Sequence, residues 1–142
     1  TMSLRCRVAM VKEVGVGENI GYGNNFITPR PMKIATITIG YADGFSRAVS
    51  KKDFKVLING QFGRIIGNVC MDQFMVDITD IENVHLGNEV ILLGSDGNVK
   101  FDADDIAKLT NTISYEVLCL IGRRAPRIYI KDYKTIGIRY LM

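Results

Sequence analysis

The sequence predicts a mainly β fold, an antiparallel β-barrel-like domain with two short helices near its C-terminal end. Several short segments alternate apolar and polar residues, which is typical of half-buried strands. Turn signals rich in glycine and asparagine separate these segments about every 8–12 residues, a spacing found in sandwiches and barrels. Helical periodicity begins only after residue 101, so most of the strands precede the helices.

The first two strands lead toward the most polar part of the chain. The first predicted strand covers residues 3–11, and Gly15 and Gly17 break it. The side chains predicted to share its inner face are Leu4, Cys6, Val8 and Met10. The second strand, residues 32–39, is rich in isoleucine and threonine, and it ends just before Tyr41.

An Asn-Gly pair gives the clearest local signal in the chain. Asn59-Gly60 separates the apolar segments 55–58 and 61–66, and Asn-Gly between two such segments favours a two-residue hairpin turn. The other predicted strands cover residues 74–78, 89–93, 99–101, 127–130 and 135–141.

Two helices are predicted between the third-last and second-last strands. Asp102 can cap a helix that runs to Leu109, and the acidic residues in its first turn suit the helix dipole. Thr112 can cap a second helix, which Gly122 ends. The apolar stripe of that second helix consists of Ile113, Val117, Leu120 and Ile121.

Size and charge limit the possible partners. The 142 residues fit a single domain over residues 1–142, and a chain of this length buries roughly 70% of its unfolded surface. Lys and Arg number 18 against 15 Asp and Glu, and these basic residues are scattered, unlike a nucleic-acid-binding surface. No apolar segment reaches the ~20 residues of a membrane span. We therefore expect neither nucleic acid nor a membrane as a partner.

The cysteines and the single histidine argue against disulfides and metals. Cys6, Cys70 and Cys119 are odd in number and far apart, which favours free thiols in a reducing compartment. We interpret them as packing residues of a cytoplasmic protein. His85 has no second histidine or cysteine pair beside it, so no metal site is expected. Because strand pattern begins almost at Thr1, we also expect the chain to be a piece of a longer protein.

Polar candidates for chemistry cluster on glycine-bracketed turns. They lie in Gly21-Tyr22-Gly23, in Gly40-Tyr41-Ala42-Asp43-Gly44 with the nearby Arg47, and in Cys70-Met71-Asp72-Gln73. A tyrosine alone is a weak acid or base at neutral pH, because the pKa of the free side chain is about 10. If these tyrosines take part in catalysis, groups outside this chain must complete the site.

Longer motifs connect these candidates to a known family. In chain order they are Gly21-Tyr22-Gly23-Asn24-Asn25-Phe26, Gly40-Tyr41-Ala42-Asp43-Gly44, Cys70-Met71-Asp72-Gln73, Ile113-Ser114-Tyr115-Glu116-Val117-Leu118-Cys119 and Pro126-Arg127-Ile128-Tyr129. Together they resemble the C-terminal domain of alanine racemase, and the resemblance spans nearly the entire chain. It implies a two-domain enzyme that uses pyridoxal 5′-phosphate and works as a head-to-tail homodimer. The implied N-terminal β/α barrel, which carries the cofactor-binding lysine, is absent from these 142 residues.

The resemblance also implies a role for individual residues. Tyr22 matches the tyrosine that transfers a proton on one face of the small amino-acid substrate, across the dimer interface from the second racemase subunit's lysine. Met71 matches the residue whose backbone N–H meets the substrate carboxylate, and Tyr115 matches a tyrosine that contacts the cofactor phosphate. The implied entrance residues are Tyr41, Arg47 and Asp72.

One position departs from the family pattern, and several alternatives stay open. Asn68 stands where the family often has arginine, which should alter charge and access at the entrance. Serine-preferring relatives are expected to have a smaller hydrogen-bonding residue at the position of Tyr115, so its retention favours alanine. The alternatives are the β domain of a serine-type racemase, that of an amino-acid decarboxylase, and a stand-alone β-barrel interaction module. The isolated chain is expected to be inactive.

Overall fold

The computed structural model describes residues 2–140, apart from the side chain of Lys51. The strands are β1 (Leu4–Val14), β2 (Met32–Ile37), β3 (Lys55–Ile58), β4 (Gln61–Ile66), β5 (Phe74–Asp77), β6 (Glu89–Asp96), β7 (Val99–Phe101), β8 (Arg127–Lys131) and β9 (Lys134–Arg139). The helices are α1 (Ala103–Thr110) and α2 (Ser114–Leu120), and short 3-10 turns cover Tyr41–Asp43 and Arg47–Lys51.

Antiparallel pairing closes most of the strands into a ring. The order is β1-β2-β5-β4-β3-β6, and β1 also pairs with β6, so the sheet returns to its first strand. β7 extends β6 as a short hairpin through residues 97 and 98. The predicted mainly β, antiparallel fold with two late helices is confirmed, and closure leaves few free strand edges in the ring.

The first strand is longer than predicted and changes face midway. A register shift between Val8 and Met10 inserts an extra residue opposite β2. Because side chains alternate along a strand, the extra residue turns Met10 outward, where it is exposed, and brings Val11 against the same core as Val8. Val14 is buried in a second apolar cluster. The prediction that Met10 shares an inner face with Val8 was therefore wrong.

Aromatic packing connects the core to the polar turns. Phe45 is buried, and its ring lies 5.4 Å from that of Phe54 and 5.1 Å from that of Phe74, centroid to centroid. Burying a phenylalanine side chain contributes about 1.5–3 kcal/mol. Since Phe45 follows Gly44 directly, this burial fixes the end of the turn that carries Tyr41.

The two predicted helices are present, but one cap and one apolar stripe differ from the prediction. Of the stripe predicted for the second helix, Val117 and Ile121 are buried, whereas Ile113 and Leu120 are exposed. The Asp102 carboxylate accepts hydrogen bonds from the N–H groups of Asp104 and Asp105, as predicted. The second helix begins one residue later than its predicted cap allows, with Ile113 at the capping position. Thr112 instead donates its hydroxyl proton to the carboxylate of Glu116, so its assignment as the cap was wrong.

The last two strands form a separate hairpin. Of the strands in residues 2–140, β8 and β9 pair only with each other. Its apolar side chains Ile128, Ile130, Ile136 and Ile138 are exposed, together with Tyr129, Tyr133 and Tyr140. The guanidinium of Arg127 donates to the carbonyl of Ile121 at 2.9 Å and ties the hairpin's first residue to the end of α2. The predicted end of the final strand at Leu141 lies outside the described residues.

Candidate functional site

Tyr22 lies on a short loop with unusual backbone angles. Gly21 and Gly23 have φ values of 74° and 82°, and Asn24 has φ of 49°. Glycine adopts this left-handed region without steric cost, which explains why two glycines flank the tyrosine. The backbone N–H of Ile20 donates to the carbonyl of Phe26 at 3.0 Å and closes the loop at its base. We call residues 21–26 the Tyr22 loop; it leaves the tyrosine side chain 48% exposed.

A buried asparagine supports this loop from behind. The side-chain nitrogen of Asn68 donates to the Tyr22 carbonyl at 2.9 Å, and its side-chain oxygen accepts from the amide of Asn25 at 3.0 Å. Asn68 is only 3% exposed. The residue expected to change an entrance surface is thus inside the domain, in contact with the loop of the predicted base.

The predicted entrance residue Arg47 contacts the predicted base directly. Its Nε donates to the Tyr22 hydroxyl oxygen at 3.1 Å, and its guanidinium carbon lies 5.7 Å from the centre of the ring. Ser46 caps the 3-10 turn that holds Arg47 by accepting from the N–H of Ala48 at 3.2 Å. Because the Tyr22 oxygen accepts this bond, its own proton remains available for another partner.

The Tyr41 turn, residues 40–44, is attached by its backbone. The N–H groups of Tyr41 and Ala42 donate to the carbonyls of Cys70 and Met71 at 3.1 and 3.0 Å. A Cβ atom on Gly40 would overlap both of these carbonyl oxygens. Glycine is therefore required at position 40 by close approach of two backbone segments, not by its φ angle, which is extended at −147°.

The opposite side of the same turn packs on the end of α2. The Gly122 N–H donates to the carbonyl of Asp43 at 2.7 Å, and a Cβ on Gly44 would overlap the carbonyl of Leu120. The Asp43 carboxylate accepts from the Gly40 N–H at 2.9 Å and closes the turn. Asp43 thus stabilises the turn, and its other oxygen faces a cation.

That cation is Arg124, a residue that the sequence did not single out for function. Its guanidinium lies 2.7 Å from a carboxylate oxygen of Asp72 and 3.4 Å from one of Asp43. The hydrogen bond to Asp72, with the nearby charge of Asp43, raises the pKa of Arg124 above its usual value. Only the folded arrangement brings these three charges together, because they are far apart in sequence. The adjacent Arg123-Arg124 pair was the only hint in the chain.

The segment of residues 68–72 links the two tyrosines, and we call it the platform. Asn68 contacts the Tyr22 loop, whereas Cys70 and Met71 contact the Tyr41 turn. Met71 is 54% exposed, and its N–H takes part in none of the hydrogen bonds found among residues 2–140. A free backbone N–H on an exposed platform can bind a carboxylate oxygen.

Tyr115 lies apart from this arrangement. It occupies the first turn of α2 and is strongly exposed. No hydrogen bond or ion pair among the described residues connects it to Tyr22, Tyr41 or Arg47. The structure thus brings five of the six predicted site residues together through the platform and leaves the sixth on a neighbouring helix.

The three cysteines differ in their exposure. Burial raises the pKa of the Cys70 thiol, and the charge of Arg47 opposes that rise. Burial also raises the pKa of Cys6, whereas Cys119 is exposed, unlike the packing role predicted for it. Across residues 2–140 no three histidine, cysteine, aspartate or glutamate residues come close enough to hold a metal ion. Within the same residues, no helix is long and apolar enough to cross a membrane.

The fold and the site together define a class of protein. A ring of antiparallel strands that holds an exposed tyrosine, a guanidinium and a free backbone N–H around one platform is a β domain with a candidate binding surface. The sequence pattern of the family "Alanine racemase, C-terminal domain" matches residues 1–129, and this chain belongs to that family. The resemblance seen in the motifs is thereby confirmed.

Relatives and solved structures agree with this assignment. The alanine racemase of Clostridium kluyveri is 51% identical over 138 residues, which cover 97% of this chain and 35% of that protein. The crystal structure of alanine racemase from Bacillus anthracis with bound L-Ala-P superposes with a TM-score of 0.92 at 38% identity, over 97% of this chain and 35% of that one. The alanine racemase from Bartonella henselae with covalently bound pyridoxal phosphate gives a TM-score of 0.84 at 36% identity, over 90% of this chain and 34% of that one. The chain thus spans about a third of the length of these relatives.

Proposed function

We propose that this chain supplies one half of the proton-transfer machinery of a pyridoxal-phosphate-dependent enzyme that interconverts L- and D-alanine. The observation that carries the proposal is the exposed Tyr22 hydroxyl, fixed by Arg47 on a loop that the platform supports. Racemisation requires a proton to leave one face of the α-carbon and return on the other, so it needs a group on each face. Tyr22 serves one face, and a lysine outside this chain serves the other.

The chain offers a partial fit to the cofactor. Tyr115 presents an exposed phenol hydroxyl in the first turn of a helix, and such a hydroxyl can donate to a phosphate oxygen. When bound, pyridoxal 5′-phosphate acts as an electron sink that makes the α-proton of an attached amino acid easier to remove. Its principal binding residues belong to the N-terminal domain of the family, so residues 1–142 form the single domain that complements it.

Tyr22 works as a positioned acid and base. Arg47 donates to its oxygen, and a hydrogen bond from a cation strengthens when the accepting oxygen becomes negatively charged. The same bond orients the ring, since the guanidinium also lies over its face. Proton transfer through a group held in this way typically contributes roughly 10²–10⁴-fold to a rate.

In this proposal the platform binds the substrate, and residues beside it form the entrance to the site. The free N–H of Met71 donates a hydrogen bond to the carboxylate of a small amino acid, while Tyr41, Arg47 and Asp72 form the entrance. Arg124 holds Asp72 in place and keeps its charge from repelling the substrate carboxylate. This arrangement uses backbone and side-chain groups of residues that the structure joins by hydrogen bonds or ion pairs.

A second subunit completes the site. We propose a cytoplasmic homodimer in which Tyr22 reaches the active site of the partner subunit. The exposed apolar face of the β8–β9 hairpin supports a protein contact at the hairpin itself, because isolated exposed apolar side chains are common but a strand pair rich in them is not. The same face would favour the runner-up function, a stand-alone interaction module.

The test grafts this chain onto a relative. Residues 1–142 replace the matching third of Clostridium kluyveri alanine racemase, and racemisation of alanine and serine is measured with and without Tyr22→Phe. We expect alanine to be the better substrate and Tyr22→Phe to lower the rate from L-alanine roughly 10²–10⁴-fold. Asn88→Ala, which alters a side chain in the turn after His85, outside both the platform and the hairpin, is the control and should leave the rate within about twofold.

Isotope exchange separates the two faces. Exchange of the α-proton for solvent deuterium should fall strongly from the L-isomer and less from the D-isomer in Tyr22→Phe, because the lysine serves the other face. Equal loss from both isomers would contradict the one-face role of Tyr22. Detectable racemisation by the isolated chain would contradict the requirement for a second domain.

A further inference from the structure

The Tyr22 loop depends on one side chain for internal support. Its backbone closes only at the base, through the bond from Ile20 to Phe26. Between those ends, the hydrogen bonds found among the described residues that reach the loop backbone come from the side chain of Asn68. Three of the intervening residues have positive φ angles, so the loop follows no regular repeating conformation that would support itself.

Asn68 is itself held firmly. Its neighbour Val69 is fully buried, and the Val69 N–H donates to the Ser50 hydroxyl at 2.8 Å. Both ends of the Asn68 amide are used on the loop, one by the carbonyl of Tyr22 and the other by the amide of Asn25. A Cβ placed on Gly23 would lie 3.2 Å from the Asn68 nitrogen, so the loop packs directly over the amide. The backbone that carries Asn68 is therefore held in place by burial and by the Ser50 bond, and both polar atoms of its side chain are bonded to the loop.

We propose that Asn68 is a positioning residue for Tyr22, an inference that rests on the proposed proton-transfer role of that tyrosine. The amide fixes the backbone at Tyr22, whereas Arg47 fixes only the end of its side chain. Displacement of a reacting group by about 1 Å can cost 10²-fold in rate. A loop without the amide would still hold a tyrosine, but its hydroxyl would spend less time at the α-carbon.

The experiment uses two readouts. Loop exchange, which is the amide hydrogen exchange of Ile20, whose N–H bond to the Phe26 carbonyl closes the loop, is measured in this chain. Alanine kinetics are measured in the Clostridium kluyveri graft. Asn68→Leu keeps a similar volume and removes both hydrogen bonds; we expect loop exchange roughly tenfold faster. We expect kcat from L-alanine to fall roughly 10- to 100-fold with KM within about threefold, since positioning is lost while substrate binding remains.

Three further variants make the result specific. Asn25→Ala removes one of the two bonds from an exposed residue, so it should accelerate loop exchange by a smaller factor and fold normally even if Asn68→Leu does not. Arg47→Ala frees the hydroxyl but not the backbone and should leave loop exchange within about twofold. Asn88→Ala is the matched control, because that asparagine accepts from the N–H of His85 in a different turn and should change neither readout.

The outcomes separate the support of the loop by Asn68 from the effect of that support on catalysis. Unchanged loop exchange in both Asn68→Leu and Asn25→Ala would overturn the positioning role. Faster exchange with an unaltered rate from L-alanine would overturn its link to catalysis. If Tyr22→Phe itself leaves racemisation intact, the proposed function fails, and faster loop exchange in Asn68→Leu would still establish the structural support.

Discussion

The Tyr22 loop and the Tyr41 turn both hold a tyrosine near the platform, but different kinds of contact fix them in place. Each holds a half-exposed tyrosine between glycines, and each is attached to the platform. The Tyr41 turn is clamped through backbone atoms, with Gly40 against the platform and Gly44 against α2. The Tyr22 loop rests on the side chain of Asn68. Backbone clamping admits only glycine at its contact points, whereas side-chain support leaves the loop more freedom to move.

The largest expected effect comes from disrupting the backbone contact between Gly40 and the platform. Gly40→Ala places a methyl group onto two backbone carbonyls that cannot withdraw separately, so the free energy of unfolding should fall by about 3 kcal/mol or more. Urea denaturation followed by circular dichroism measures it. Gly137→Ala is the control, because its added Cβ meets only the ring edge of Tyr129, at 3.9 Å. A small loss at Gly40 would mean that the turn is not clamped.

A smaller effect is expected on the Tyr22 loop. Gly23→Ala forces an alanine into a left-handed conformation and presses its Cβ toward the Asn68 amide. This strain should cost about 1–2 kcal/mol. Unlike Gly40→Ala, it should accelerate hydrogen exchange of the Ile20 amide, which closes the Tyr22 loop, and leave the bonded amides of Tyr41 and Ala42 protected. Equal loosening of both regions would remove the distinction between them.

The smallest effect concerns the ion pairs around the Tyr41 turn. Arg124→Ala removes the bridge between Asp43 and Asp72. Because Arg124 and Asp72 are about half exposed and their short ion pair is screened by water, the loss of stability should be below that of Gly23→Ala. The difference from the parent chain should disappear at 1 M salt, where the screening length is about 3 Å. Persistence of the full difference in salt would indicate packing by the arginine stem instead.

Much of the fold could be predicted from the sequence, because interactions between residues close together in the chain determine it. Asn59-Gly60 determines a hairpin turn, and Asp102 caps α1 through a short-range hydrogen bond. The motif containing Tyr41 was recognisable for a physical reason as well. Its glycines are required by backbone contacts, so the motif marks the fold even though its tyrosine lies at the proposed entrance.

What the sequence could not show arises from contacts between distant segments. Asn68 is 46 residues from Tyr22, and nothing local indicates that its amide turns inward rather than toward solvent. Arg124 meets Asp43 and Asp72 only after α2 has packed on the barrel. The bulge that turns Met10 outward likewise depends on pairing with β2, which residues 3–11 do not specify alone.

The β8–β9 hairpin has a consequence for the heat capacity and cooperativity of the domain. A two-stranded hairpin with both faces in water is marginally stable. Its connection to the rest of the described chain runs chiefly through Arg127 and the end of α2, while the barrel strands are bonded on both sides. We therefore expect the barrel to unfold as one cooperative unit in calorimetry. The hairpin, which adds little buried apolar area, is expected to open at lower temperature and to absorb little heat.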